Sequence, residues 1–279
     1  MSRRLKNNLF RGLMIGSIGI SLGVLGILLV DTFLTALPEL DWQLLTGNPS
    51  TVAEEAGGRP AILATLYLAI LVLVLSVPIG VATALYLEEY ASRERWYNRL
   101  IEVNIQNLAA VPSIVYGILG LAFIVRGLNL GRVVLAGALI LTLVVLPTVI
   151  VAAREAIRAV PDSIRQGGFA LGATKWQVVS RQVLPASIPG IATGSILALS
   201  RAVGETAPLI MVGAVTYVAF DPRVFGAYTA LPVQIYNWTK QPDATFQTLA
   251  AAGAVVLLVI VLSMNAIAIL LRNRYRQNW

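Results

Sequence analysis

Two charged residues, Arg201 and Glu205, stand in an apolar stretch that runs from about residue 188 to residue 214. A helix would place them on one face, because residues four apart are neighbours on a helical surface. Each charge costs about 2.5 to 3.5 kcal/mol at the centre of a membrane helix, so pairing or a water-filled cavity must offset it. Two interpretations stay open. Either the pair only neutralises itself or ties its helix to a neighbour, or Arg201 offers planar donors to an oxyanion while Glu205 sets its rotamer and limits the affinity.

Three hydroxyl side chains could add hydrogen-bond donors along the same route, namely Ser113, Tyr116 and Thr206. Hydrogen bonding between helices is the alternative role for each of them, since polar side chains commonly connect helices inside membranes. Together with Arg201 and Glu205, these residues form the predicted substrate pathway.

The sequence gives little support for catalysis or metal binding. It contains no cysteine and no histidine, which removes disulfides, thiolate chemistry, imidazole ligands and histidine acid/base chemistry. The apolar stretches hold few carboxylates beyond Asp31 and Glu205, and no G-x-x-x-x-G-K-[ST] phosphate loop is present. We therefore expect no catalytic residue, no metal site and no ATPase activity in this chain.

Composition indicates that these residues belong to a membrane protein. The chain is 57% hydrophobic and only 13% charged, whereas soluble domains carry about 25% charged residues. A membrane helix needs about 20 consecutive apolar residues. We predict an all-α, polytopic membrane protein with six transmembrane helices, whose first span is a retained anchor rather than a cleaved signal peptide. The predicted spans are 13–36, 61–87, 108–125, 132–152, 188–214 and 249–271.

The positive residues predict the orientation. With the N-terminus inside, the segments 1–12, 88–107, 153–187 and 272–279 hold fifteen Lys and Arg residues, and the opposite side holds five. The positive-inside rule then places both termini in the cytoplasm. The net charge of +7 is explained by this distribution, so we expect no nucleic-acid partner.

The connection 153–187 mixes charged and apolar residues and predicts two short helices below the membrane. Pro161 and Asp162 read as a helix start, and Gly172 suits the left-handed conformation at its end. Ala173 and Thr174 open a second helix, which Pro185 is expected to stop. Apolar residues recur at helical spacing through both helices, which indicates docking to another protein. They are Ile164, Phe169, Leu171, Trp176, Val178 and Val179.

This connection resembles the coupling loop of ABC importer permeases, whose pattern is Glu-Ala-Ala, three residues, Gly, nine residues, Ile-x-Leu-Pro. Gly172, Leu184 and Pro185 match at the right spacing. Gln166, Gly167 and Gly168 stand in place of Glu-Ala-Ala, and Gln182 replaces the isoleucine.

Further segments between residues 57 and 271 are similar to the PstA-type permease subunits of phosphate importers. The most discriminating is the run Arg-Ala-Val-Gly-Glu-Thr-Ala-Pro-Leu at 201–209. The others are Gly-Gly at 57–58 with Thr-Leu at 65–66, Val-Pro-Ile-Gly at 77–80, Leu-Glu-Glu-Tyr at 87–90, and Val-Pro-Ser-Ile-Val-Tyr-Gly at 111–117.

The resemblance implies a type I ABC importer permease fold with a cytoplasmic coupling helix, in a bacterial inner-membrane complex that imports inorganic phosphate. The implied partners are a homologous PstC-type permease, a homodimeric PstB-type subunit that binds ATP and Mg, a PstS-type phosphate-binding protein outside, and membrane lipid. The implied division is 1–56 for the tail, first helix and outer loop, 57–271 for the permease domain, and 272–279 for a basic tail. The implied ATPase-coupling residues are Gln166, Gly167, Gly168, Gly172, Ala173, Thr174, Trp176, Val178, Leu184 and Pro185.

Two other functions compete with this interpretation. An ion-coupled secondary transporter of an anion could use Glu205 as its ion-coupling site. A nonselective channel or structural subunit would leave the cost of burying Arg201 and Glu205 unexplained.

Overall fold

The computed structural model describes residues 3–92, 94–214 and 218–274, and within these ranges the chain forms α-helices and no β-strand. Residues 275–279 of the predicted basic tail lie outside the described residues. The helices are α1 (Arg3–Ala36), α2 (Trp42–Thr46), α3 (Arg59–Leu85), α4 (Trp96–Ala110), α5 (Ser113–Gly120), α6 (Val134–Arg158), α7 (Asp162–Ala170), α8 (Lys175–Val178), α9 (Leu184–Gly204), α10 (Ala207–Val212), α11 (Leu231–Thr239) and α12 (Ala244–Arg274). Wider π-helical turns follow three of them, at Tyr86–Tyr90, Leu121–Gly127 and Val179–Val183.

The described residues contain five helices long and apolar enough to cross a membrane, and a sixth span if one bent pair is counted. This confirms the all-α, six-span prediction. The third span was wrong as a single straight segment at 108–125, because α4 and α5 meet at an angle of 103°. Val111 is extended and Pro112 follows it, and a proline disfavours the helical conformation of the residue before it.

The fifth predicted span, 188–214, is also interrupted. Helix α9 ends at Gly204, Glu205 is extended with ψ of 117°, and α10 starts at Ala207 with Pro208 in its first turn. Proline is tolerated there because the first N–H groups of a helix have no partner inside the helix. Glu205 therefore lies just beyond the helix that carries Arg201.

Pro185 does not stop a helix, contrary to the sequence prediction. The chain stays helical from Lys175 to Gly204, and Pro185 lies in the first turn of α9. The π-helical turn Val179–Val183 directly precedes it, and the Leu184 N–H donates to the Val179 carbonyl five residues back. This wider turn accommodates the proline ring and its missing N–H, which would disturb a regular α-helix.

Helix α6 lies at the centre of the bundle, between α3 and α9. Their contact faces form the largest apolar core, which includes Leu68 and Val72 of α3, Ile140 and Val145 of α6, and Leu199 of α9. Helix α1 packs against α12 and leaves most of its large apolar side chains exposed, as expected for a helix surrounded by lipid. The central three helices therefore position the break after α9 at one end and the segment α7–α8 at the other.

Candidate functional site

The break after α9 holds the charged pair predicted from the sequence. Arg201 Nε donates to Glu205 Oε1 at 3.2 Å, across the end of the helix rather than along an unbroken face. The Arg201 side chain is 57% exposed and the Glu205 side chain 16% exposed. Within the described residues, only the Nε of the guanidinium has a hydrogen-bond acceptor. Its two terminal nitrogens are therefore available to a ligand.

Helix α5 lies directly against this break. A Cβ built on Gly117 would come within 2.7 Å of Pro208 Cα, so α5 and α10 touch through backbone atoms and only glycine fits there. The two motifs at 111–117 and 201–209, distant in the sequence, are therefore neighbours in space. An open groove of about 580 Å³ runs between α5, α10 and α11, lined by residues that include Ile114, Thr206 and Tyr236.

The three predicted hydroxyl donors have different surroundings. Tyr116 is buried, and its hydroxyl donates to the Leu108 carbonyl at 2.8 Å, which fastens the bend between α4 and α5. Ser113 is half-buried in the first turn of α5. Thr206 Oγ1 contacts the Gly204 carbonyl at 3.4 Å and lines the groove. Thr206 and Ser113 thus remain candidates for the pathway, whereas Tyr116 has a structural bond.

At the other end of the bundle, α7 and α8 form the predicted pair of short helices. Gly172 has φ of +79°, the left-handed conformation that ends α7, and the Ala173 N–H donates to the Gly168 carbonyl at 3.1 Å. Thr174 and Gln177 cap each other at the start of α8. The predicted start of α7 at Asp162 and the left-handed conformation of Gly172 are confirmed, although the last helical residue is Ala170.

The apolar side chains of the α7–α8 segment differ in their exposure. Leu171 is 88% exposed and Trp176 68% exposed, while Val178 is buried. Val178, one of the apolar residues predicted to dock to another protein, is therefore not accessible to a partner, because it packs against Gly168 inside the segment. The remaining coupling residues are placed as follows: Gln166, Gly167, Gly172, Thr174 and Pro185 exposed, Ala173 and Leu184 half-buried, and Gly168 buried.

Sequence reasoning missed the ion pairs that hold this end together. Glu88 and Glu89, in the π-helical turn after α3, are 8% and 9% exposed. Glu88 pairs with Arg154 at 2.7 Å and with Arg158 at 2.8 Å. Glu89 pairs with Arg165 of α7 at 2.8 Å. A signal was present, since two adjacent glutamates end one apolar span and arginines four apart end another.

Within the described part of the chain, no cluster of three or more His, Cys, Asp and Glu residues could hold a metal ion.

Comparison with known proteins identifies the family. The family described as "Binding-protein-dependent transport system inner membrane component" matches residues 76–277. The chain is 36% identical to the phosphate transport system permease protein PstA 1 of Mycobacterium tuberculosis, over 78% of this chain and 71% of that protein. It is 29% identical to the probable ABC transporter permease protein YqgI of Bacillus subtilis, over 96% of this chain and 95% of that protein.

The fold matches a solved importer. A bacterial ABC transporter involved in the import of the acidic polysaccharide alginate superimposes with a TM-score of 0.64, covering 99% of this chain and 100% of that one at 17% identity. The chain therefore has the fold of type I ABC importer permeases. It belongs to the family of binding-protein-dependent inner-membrane permeases.

Membership of this family settles several expectations. The chain is a multi-pass inner-membrane permease subunit of an ABC importer, which works with an ATPase and a periplasmic binding protein. It is not itself an ATPase, and ATP is bound by the partner. The alternative of an ion-coupled secondary transporter, with Glu205 as its coupling site, is therefore wrong.

The buried ion pairs predict a stability effect. Replacing Glu88 with Gln should lower the free energy of unfolding by about 2 kcal/mol, because the poorly exposed Arg154 then keeps only the partly exposed Glu102 as a charged partner. Reversible unfolding of the purified protein in mixed detergent micelles measures this change.

Glu155→Gln is the matched control. Glu155 pairs with Arg158 at 3.2 Å but is 65% exposed, and exposed pairs contribute only about 0 to 1 kcal/mol. Equal stability losses in the two variants would contradict the assignment of Glu88 as a buried structural anion.

Proposed function

We propose that this permease subunit imports inorganic phosphate, with Arg201 on the path of the anion. The observation that carries the proposal is the half-exposed Arg201 guanidinium, which engages Glu205 through Nε and leaves its terminal nitrogens free within the described residues. The relatives named as phosphate transport permeases support phosphate as the substrate.

The geometry suits transient binding of a tetrahedral oxyanion. A guanidinium offers planar, paired donors that match two oxygens of a phosphate. Glu205, at 3.2 Å from Nε, fixes the orientation of the guanidinium and offsets part of its charge. The residual attraction is therefore weak enough for release, which transport requires. Thr206, which lines the neighbouring groove, and Ser113, in the first turn of α5, would add hydroxyl donors.

One chain supplies half of the proposed path. A homologous PstC-type permease would cover the open groove between α5, α10 and α11. We propose that both termini and the α7–α8 segment face the cytoplasm, where a PstB-type homodimer binds ATP and Mg. The outer loops 37–60 and 215–245 would then meet a PstS-type binding protein; residues 215–217 lie outside the described residues. The division into 1–56, 57–271 and 272–279 stays a prediction.

The α7–α8 segment is proposed to dock into the ATPase. Its exposed apolar side chains, Phe169, Leu171 and Trp176, provide the contact surface. Gly172 sets the angle between the two helices through its positive φ, and the remaining coupling residues predicted from the sequence shape the same segment.

Substitution of Arg201 tests the phosphate path. In vesicles that carry the complete complex, Arg201→Lys and Arg201→Gln should both lower phosphate uptake by at least about tenfold, because neither presents a planar fork of charged donors. Uptake is measured with labelled phosphate at matched levels of assembled complex.

Arg126→Gln is the control for the loss of one positive charge at an exposed helix end. Normal uptake in both Arg201 variants would make that residue structural and remove it from the path.

Substitution of Gly172 tests the coupling segment. A valine there should uncouple ATP hydrolysis from phosphate uptake, because a β-branched residue at φ of +79° is strained by about 1 to 3 kcal/mol and changes the angle between α7 and α8. The readout is the ratio of phosphate transported to ATP hydrolysed.

Gly131→Val provides the matched control, since Gly131 has φ of +75° and open space around it but lies far from this segment. If both variants keep the wild-type ratio, the segment does not carry the coupling.

A further inference from the structure

The two adjacent glutamates after α3 bind different helices. Glu88 Oε1 accepts hydrogen bonds from Arg154 Nε at 2.7 Å and Arg158 Nη2 at 2.8 Å, both on α6. Arg154 continues to α4, since its Nη2 donates to Glu102 Oε1 at 2.6 Å. Glu88 therefore connects α3 to α6 and, through Arg154, to α4.

Glu89 connects the same turn to the α7–α8 segment. Its Oε1 accepts from Arg165 Nη2 at 2.8 Å and from Nε at 3.0 Å. Arg165 also donates to the Val160 carbonyl at 2.7 Å and the Ile157 carbonyl at 3.0 Å, at the end of α6. One guanidinium thus holds α7 against both α3 and α6.

Four of the charged side chains in these contacts are largely shielded from water. The exposed fractions are 8% for Glu88, 9% for Glu89, 12% for Arg154 and 17% for Arg165. Little water reaches these four side chains, whereas Glu102 and Arg158 at the edge of the network are 35% and 48% exposed. Moving α3, α6 or α7 alone would therefore separate opposite charges in a poorly solvated place. The helices that share the network are therefore expected to move together.

The network leads onward to the candidate pathway. Helix α4, which carries Glu102, is fastened to α5 by the Tyr116 hydroxyl on the Leu108 carbonyl. Helix α5 touches α10 where Gly117 meets Pro208, two residues after Thr206. A continuous chain of contacts therefore joins the α7–α8 segment to the break beside Arg201.

We propose that Glu88 and Glu89 form a relay, which transmits displacement of α7 to the α4–α5 arm that borders the pathway. The proposal rests on the proposed function of the α7–α8 segment. Glu89 and Arg165 are positioning residues, because they act through other helices and touch neither phosphate nor ATP. Their removal should alter how much transport each hydrolysed ATP produces.

The test uses the complete complex in vesicles and measures labelled phosphate uptake and ATP hydrolysis on the same preparation. For Glu89→Gln we expect the ratio of phosphate imported to ATP hydrolysed to fall about tenfold, while ATP hydrolysis stays within about twofold of wild type. Glu155→Gln, an exposed neighbour on α6, should keep the wild-type ratio.

A cross-linking variant distinguishes loss of the connection between Glu89 and Arg165 from general damage to the fold. The chain has no cysteine, so Glu89→Cys with Arg165→Cys introduces the only two thiols in this subunit. Without reagent this variant should be uncoupled like Glu89→Gln. A short bis-maleimide that refastens the two positions should restore the ratio, provided the other subunits carry no accessible cysteine.

Two results would overturn the relay: an unchanged ratio in Glu89→Gln, or a parallel fall of uptake and hydrolysis that the cross-link does not restore. Failure of the phosphate assignment looks different. The wild-type complex would then hydrolyse ATP in response to its loaded binding protein without importing phosphate. The relay is judged in that case by the position of the α4–α5 arm: adding ATP to the wild-type complex should change a spin-label distance between α5 and α9, and Glu89→Gln should abolish this change if the relay exists and leave it intact if it does not.

Discussion

Buried carboxylates remain charged only beside positive partners, and this constraint organises the end of the bundle that carries α7 and α8. Glu88 and Glu89 follow α3 directly, so the arginines of α6 and α7 must come to them. The positions of α4 and α7 follow from these pairs, since Glu102 and Arg165 each join the same cluster. The apolar core between α3, α6 and α9 fixes the relative positions of these helices as far as the opposite end of the bundle, where Arg201 lies.

The number of membrane spans and the limits of α7 could be predicted because they depend on local signals. Long apolar runs mark the spans, and Asp162 and Gly172 mark the start and end of α7. The breaks at Val111 and Glu205 could not be predicted in this way. Both lie within predicted spans, and a proline in such a span is compatible with a kink, a first-turn position or a helix end. For the same reason the predicted helix stop at Pro185 is wrong.

In the candidate site too, contacts between residues close in sequence could be predicted and contacts between distant residues could not. Arg201 and Glu205 are four residues apart, so their pairing could be predicted from helical geometry, although the helix ends between them. The pairs of Glu88 with Arg154 and Glu89 with Arg165 join residues 66 and 76 positions apart. Contacts at such separations depend on how the helices pack, which a single sequence does not specify. The use of the Tyr116 hydroxyl at the bend was hidden for that reason too.

The most direct test of phosphate import is the uptake of labelled phosphate by the wild-type complex in sealed vesicles. ATP is supplied on the side of the membrane that carries the ATPase subunits, and loaded binding protein on the other side. We expect phosphate to accumulate only when both are present, and an excess of unlabelled sulfate to leave the rate unchanged. Accumulation of sulfate at the same rate, or no accumulation of phosphate by an assembled complex that hydrolyses ATP, would contradict the account.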